Sequence, residues 1–498
     1  MLRVRDLRHS GEWPDAASDR AFLGRHPSRK SPVRHRLKQS VGLLLVAACS
    51  SESGPVVDPP EPPPPPSVVS AVVSGGPHNV LSAVVSTVLQ HADSVAVRYG
   101  VGGALDSITP AVPLSGDTED LPVLGLLPAT EYSLQVVAWG TDTVATGETL
   151  VFTTGDLPAN LPSFSAGGSD PSPGFVAFAL DTWGLVIDNT GRVVWYRALT
   201  GGATLNFQPQ PTGRYVTHPV TAAPGDLRAW TEFDALGNVT RTFGCARGLK
   251  SRFHDLLTEP DGSYWVLCDE TRAMDLSAAG GDAAAQVTGT VVQHVLPDGG
   301  TSFEWNAFDH FAITDLEPAL RTGPSVNFTH ANSLDFDDEG HLLLSFRSLN
   351  EVTCVDTTTG AVRWRMGGRA NQFAFPETGA PFVRQHGARA IGPGRLQVLD
   401  NLGQPDGTRV EQYAYSPTGL IASRTTAMSA APAVTAVLGG ATQPLSGGRT
   451  LAAYGNGNRV QEYDDAGRVV WEIHGNPGYV YRASRIASLY RPGHGTPR

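Results

Sequence analysis

Apolar and polar residues alternate along most of this chain in short runs, each ended by residues that favour turns. A period of two marks half-buried β-strands, and the 3.6-residue spacing of an amphipathic helix is absent throughout. Between residues 68 and 156 the runs read SVVSAVVSG, DSVAVRYG, YSLQVVAWG and LVFTTG, which predicts a small all-β domain. From about residue 160 an irregular repeat takes over, built on Asp-x-x-Gly-x-Val-x-Trp. DNTGRVVW ends at Trp195, DDAGRVVW at Trp471 and the one-residue-longer DTTTGAVRW at Trp364. Weaker copies lie near Gly237, Trp305 and Gly419, so that six copies follow one another with turn glycines 46 to 63 residues apart. Each is a turn followed by an alternating strand, and each is preceded by an inner hairpin with a turn such as EPDG, DDEG, GPG or LSGG. Two hairpins per repeat make a four-stranded blade, and six blades make a ring that leaves few exposed edges. The expected fold is all-β: a six-bladed β-propeller over 160–498 preceded by a small β-sandwich over 68–156.

Within the sandwich, LLPATEYSLQVVAWG resembles the fibronectin type III pattern. Tyr132 opens a strand there, where a tyrosine hydroxyl usually anchors the corner. No chemistry is expected of this domain.

Three stretches place a histidine at one point of the inner hairpin: FHDLLTEPDGSYWVLCD, FTHANSLDFDDEGHLLLSFRSLN and RQHGARAIGPGRLQVLDN. His254, His330 and His386 each precede a strand, a glycine turn and an apolar strand. The innermost strands of a propeller line its axis, so three imidazoles from three blades are expected to meet at the mouth of the central channel. Antiparallel pairing returns Arg347 to the same mouth, and Asn332, two residues past His330, keeps its strand face. Asp400 and Asn401 return near His386 by the same reasoning, and Cys268 near His254. His341 is expected in a solvated turn, and His218, His294, His310 and His474 fall outside the register. A guanidinium fork beside imidazoles suits a tetrahedral oxyanion. No serine elbow, phosphate-cradling glycine loop or pair of Cys-x-x-Cys motifs accompanies the set, which fits a small sulfate- or phosphate-like group better than a peptide.

Composition narrows the partners. The 498 residues carry 55 glycines, 38 prolines and only 17% charged residues, in keeping with turn-rich β structure. Beyond residue 48 there are 27 basic against 44 acidic side chains, a net charge of −17 that argues against nucleic acid. No run of 18 apolar residues exists, so no spanning helix is expected. At the N-terminus a basic stretch, SRKSPVRHRLKQ, leads into VGLLLVAA and then Cys49. That order reads as a signal segment over 1–48 with Cys49 as the lipidated residue. A Pro-rich linker over 49–67 follows, extended as polyproline II. The chain is thus expected to be an exported bacterial lipoprotein, periplasmic or on the cell surface, touching membrane only through that lipid. Of the remaining cysteines, Cys245 and Cys268 are candidates for a disulfide that only geometry can decide; three is an odd number, so at least one thiol stays free or pairs between chains.

The residues FHD, THANSLDFD, LSFRSLNEV, RQHG with LDN, and GNGNRVQEYDDAGRVVWEI together resemble the bacterial arylsulfate sulfotransferases. The resemblance covers about 160–498 and rests most on HANS followed by SFR. It implies a six-bladed propeller behind an N-terminal β-sandwich. It also implies transfer of a sulfuryl group from a phenolic sulfate ester to a phenol without phosphoadenosine phosphosulfate or any other cofactor or metal. His386 matches the nucleophile, sulfated in a ping-pong cycle, and His254, His330, Asn332 and Arg347 match positions that bind and polarise the sulfuryl group. His254 is then expected to protonate the departing phenolate. Some members carry a disulfide between closely spaced cysteines near the site, which this sequence lacks. Two other readings stay open: a metal-dependent lyase or lactonase-type propeller with the three histidines as ligands, against which Arg347 argues, and a non-catalytic binding propeller. Whether the chain forms a homodimer is open too.

Overall fold

The computed structural model describes residues 63–199, 204–219, 230–376 and 381–492. The expected signal segment, Cys49 and most of the Pro-rich linker lie outside the described residues.

The described chain is all-β, with a few 3-10 turns among the strands. Its N-terminal part is two facing sheets. One contains Ser67–Gly75, Ser82–Gln90 and Thr118–Leu124; the other runs in the order Ser107–Ile108, Ser94–Val101, Glu131–Trp139, Val144–Thr153. Alternate residues such as Val85, Val97, Leu121 and Leu134 fill the space between the sheets. Tyr132 is buried there, and its hydroxyl accepts the Leu127 N–H at 2.9 Å, tying the corner to its own strand. The second part packs directly on this sandwich: Tyr196 and Tyr490 hydroxyls accept the N–H groups of Val80 and Leu124.

Six antiparallel sheets follow, in a propeller-like order. Five start with an innermost strand and run outward. These innermost strands are Thr204–Pro209, Lys250–Thr258, Ala331–Phe336, His386–Gly392 and Ala441–Pro444. In the first sheet, however, the C-terminal strand Ala483–Ile486 pairs with Phe175–Leu180 and takes the inner place. The sixth sheet in turn receives Ala166–Gly167 on its outer strand Val469–Ile473. Apolar clusters fill the gap between each sheet and the next. Trp195, Phe207 and Tyr215 lie between first and second, and Val176, Leu185, Leu451 and Trp471 between first and sixth.

Two repeated devices explain the Asp-x-x-Gly-x-Val-x-Trp pattern. Asp188, Asp234, Asp337 and Asp464 each accept the backbone N–H groups two and four residues on with one carboxylate oxygen. The other oxygen meets the side chain four residues on: Arg192, Asn238, His341 or Arg468. The glycine between them has φ of +77° to +92°, a conformation costly for any residue with a Cβ. The tryptophan then reaches the next turn. Trp195 Nε1 donates to Ala235 O at 2.8 Å, and Trp471 Nε1 donates to Asn189 O at 2.9 Å.

The inner strands are joined by polar side chains that bond a neighbouring strand's backbone. Asn206 donates to Phe253 O and Gln208 to Leu256 O. Asp255 accepts Leu334 N–H, and Ser333 and Asp335 accept Ala388 and Ala390 N–H. Edge groups with no strand partner are thereby satisfied in a buried place.

Candidate active site

His254 and His386 lie on the inner strands of the third and fifth sheets, His330 directly precedes the inner strand of the fourth, and all three are buried. His254 lies within an irregular part of its strand, where pairing with the next strand breaks between Ser251 and Leu256. Its ring is 4.8 Å from that of His330, tilted by 54°, and it also stacks on Phe253. His330 precedes its strand with φ +52°, a left-handed conformation costing on the order of 1 kcal/mol in a histidine. There its carbonyl accepts Arg347 N–H at 3.0 Å, so the hairpin does return Arg347 to His330. Asn327 Nδ2 is 2.7 Å from His330 Nδ1.

His386 opens its strand just before Gly387, whose φ is +61°. Its Nδ1 lies 2.6 Å from Asn401 Oδ1 and 3.0 Å from Arg384 O. The Asn401 amide can face only one way, because its Nδ2 donates to both Ala436 O at 2.7 Å and Gly439 O at 2.9 Å. Oδ1 must therefore accept from the imidazole. The His386 proton is on Nδ1 and its lone pair is on Nε2. Burial lowers the His386 pKa to about 4, outweighing the two acceptors at Nδ1, so the ring is neutral at neutral pH. His254 is held well below its ordinary value by burial, and further by His330 and the guanidinium groups of Arg252, Arg347 and Arg482.

Two bridges connect the His386 side with the His254–His330 pair. Asn332 Nδ2 donates to Gln385 O at 2.8 Å, and Arg347 Nη2 donates to Val437 O at 3.4 Å on the loop that also holds Asn401. Asn401 and Asp400 differ from the expectation that both would contact a ligand. The amide of Asn401 is spent on His386 and two carbonyls. Asp400 points the other way and accepts Val383 and Gly403 N–H with one oxygen. Consecutive strand residues face opposite sides, so only one of the pair can reach the imidazole. Burial raises the Asp400 pKa to about 6.

Several neighbours escaped the histidine register. Arg482 precedes the C-terminal inner strand and donates to His254 O at 3.1 Å. Asp255 and Arg389 form a fully buried pair at 3.4 Å, and burial raises the carboxyl pKa to about 7. His218 packs on Phe253 and Trp230, one ring away from His254. Spacing could have flagged only Asn327, three residues before His330; the others are set by which strands become neighbours. Cys268 is bonded to Cys245, and Ser251, three residues from His254, pairs with Cys268. Cys354 is a free, buried thiol.

Among the described residues the three histidines do not form a group with donor atoms all within 4.8 Å, whereas Asp337, His341 and Cys354 do. The latter trio sits at the turn end of its hairpin, away from His330, and its Asp–His contact is the turn device repeated in other sheets.

No curated protein matches the chain. Among solved structures it is similar to a protein of unknown function from Bacteroides caccae, at 13% identity and TM-score 0.41 over 63% of this chain and 98% of that one. It is similar also to virginiamycin B lyase from Staphylococcus aureus, a catalytically inactive form with quinupristin, at 9% identity and TM-score 0.35 over 64% and 91%. A third is the calcium-binding protein regucalcin from Agrobacterium tumefaciens, at 16% identity and TM-score 0.27 over 54% and 77%. Residues 246–476, which carry His254, His330, Asn332, Arg347, His386 and Asn401, match the arylsulfotransferase (ASST) family model, so this part of the chain is similar to the arylsulfotransferases.

Proposed function

We propose that this protein moves a sulfuryl group from a phenolic sulfate ester to a phenol through a sulfated His386. The observation that carries the reading is the orientation of Asn401, which leaves a neutral His386 with its lone pair on Nε2. In the first half-reaction Nε2 bonds to sulfur while the bond from sulfur to the aryl oxygen breaks, its electron pair leaving with the phenolate. Nδ1 keeps its proton, and the Asn401 and Arg384 oxygens disperse the positive charge that develops on the ring. Arg347 and Asn332 hold the non-bridging oxygens, with the His330 imidazole beside them. His254 differs here from its expected part as proton donor. A ring held neutral offers a hydrogen bond to the leaving oxygen, and the phenolate takes its proton from solvent. An acceptor phenol then reverses the steps, giving ping-pong kinetics.

The match of residues 246–476 to the arylsulfotransferase family model supports arylsulfotransferase-type activity in general. The transfer through His386 rests on the site geometry. The same reading takes the six sheets as a closed six-bladed propeller, supported by the C-terminal strand in the first sheet and by Trp471 reaching Asn189. It takes the sandwich as fibronectin type III-like, supported by its strand order and the Tyr132 corner. We further propose an exported, lipid-anchored protein, from the N-terminal sequence.

The test is intact mass after incubation with 4-nitrophenyl sulfate and no acceptor. Addition of one SO3 group to the peptide carrying His386, lost on adding a phenol, is the expected result. Full nitrophenol release by His386→Ala would refute the nucleophile. Loss of activity in a chelator would favour the metal-dependent reading instead.

A further inference from the structure

The GNGN turn at residues 455–458 belongs to no part of the chemistry above, yet it grips the loop that orients the nucleophile. Asn456 bonds Leu438 in both directions: its Oδ1 accepts Leu438 N–H at 2.9 Å, and its N–H donates to Leu438 O at 3.1 Å. Gly455 makes this approach possible. Its φ is +48°, and a Cβ there would stand 2.2 Å from Leu438 O. The loop is held from other sides too. Ala436 N–H donates to Thr408 Oγ1 at 2.7 Å, and a Cβ on Gly439 would meet Tyr479 Oη at 2.1 Å. A Cβ on Gly440, where φ is +105°, would lie 2.3 Å from Leu399 Cδ2.

The clamped segment delivers three carbonyls to the site. Ala436 O and Gly439 O take both N–H groups of Asn401, and Val437 O takes Arg347 Nη2. Leu438, the residue Asn456 holds, lies between them. If the loop shifts, the Asn401 amide loses what fixes its direction, and a turned amide would donate to His386 Nδ1 and move the ring proton to Nε2. We propose that Asn456 is a positioning residue that, through the 436–440 loop and Asn401, sets the His386 tautomer. The kinetic consequence rests on His386 being the nucleophile; the effect on the tautomer does not.

The full-length protein is labelled with 15N-histidine, and the His386 ring signals are identified by their loss in His386→Gln. The wild type is expected to show a protonated Nδ1 and an unprotonated Nε2. Asn456→Ala is expected to mix the two tautomers and to lower kcat for 4-nitrophenyl sulfate by about tenfold to a hundredfold, with a smaller change in KM. Asn456→Asp keeps an acceptor for Leu438 N–H and is expected to recover most of the kcat and the single tautomer. Should Asn456→Ala unfold, Asn456→Ser, a shorter acceptor, is read in the same way. An unchanged His386 spectrum in a folded Asn456→Ala protein would overturn the proposal. The expected spectral change in a protein that never transfers sulfuryl groups would uphold it and overturn the proposed reaction instead.

Discussion

A buried neutral imidazole at residue 386 has a thermodynamic signature that needs no substrate. Its pKa falls from 6.5 to about 4 on folding, chiefly through burial. Between those values the folded chain binds fewer protons than the unfolded chain. The contribution of His386 to stability is therefore complete above pH 6.5 and is lost as pH falls toward 4. Linkage gives a loss of about 2 kcal/mol on going from pH 7.5 to pH 5, and about 3 kcal/mol in full. His254 acts in the same direction. Asp255, raised to about 7, acts in the opposite one, since its protonated form favours the fold and that contribution is lost as pH rises through 7. Comparison with His386→Gln removes both, because they are common to the two proteins. Urea unfolding is followed by tryptophan fluorescence, to which the repeat region contributes seven of the nine tryptophans. Wild type is expected to lose about 2 kcal/mol more than His386→Gln between pH 7.5 and pH 5. Equal losses would mean that residue 386 is not held neutral by the fold, and the lone pair assigned to Nε2 would lose its support.

Other outcomes follow from single contacts. Arg347→Lys replaces a planar fork by a point charge and is expected to lower kcat/KM for an aryl sulfate at least about tenfold while the protein stays folded; unchanged kinetics would remove Arg347 from the site. The Cys245–Cys268 bond closes a separation of 23 residues, so the double alanine variant is expected to lose about 3 kcal/mol in a denaturant titration. Trp471→Ala removes a buried ring and its bond to Asn189, and is expected to cost about 3–5 kcal/mol; a cost below about 1 kcal/mol would mean that the contact between sixth and first sheets is dispensable.

Alternation and turn chemistry alone determined that the chain is all-β and where its repeated turns fall. These are local properties: Asp188 and Gly191 shape their turn with atoms a few bonds apart. The histidine register was legible for the same reason, since a repeat places equivalent residues equivalently. Asn401 could be placed beside His386 by counting along a hairpin, but its role could not. Which way an amide faces depends on the Ala436 and Gly439 carbonyls, 35 and 38 residues further on. Arg482 reached His254 only because the C-terminal strand became the inner strand of the first sheet, a pairing that no local pattern encodes. The disulfide, the burial that holds His386 and His254 neutral, and the grip of Asn456 on Leu438 are likewise long-range. Local sequence sets backbone geometry at each turn, whereas solvent exclusion and hydrogen-bond direction at the site arise from strands brought together by the fold.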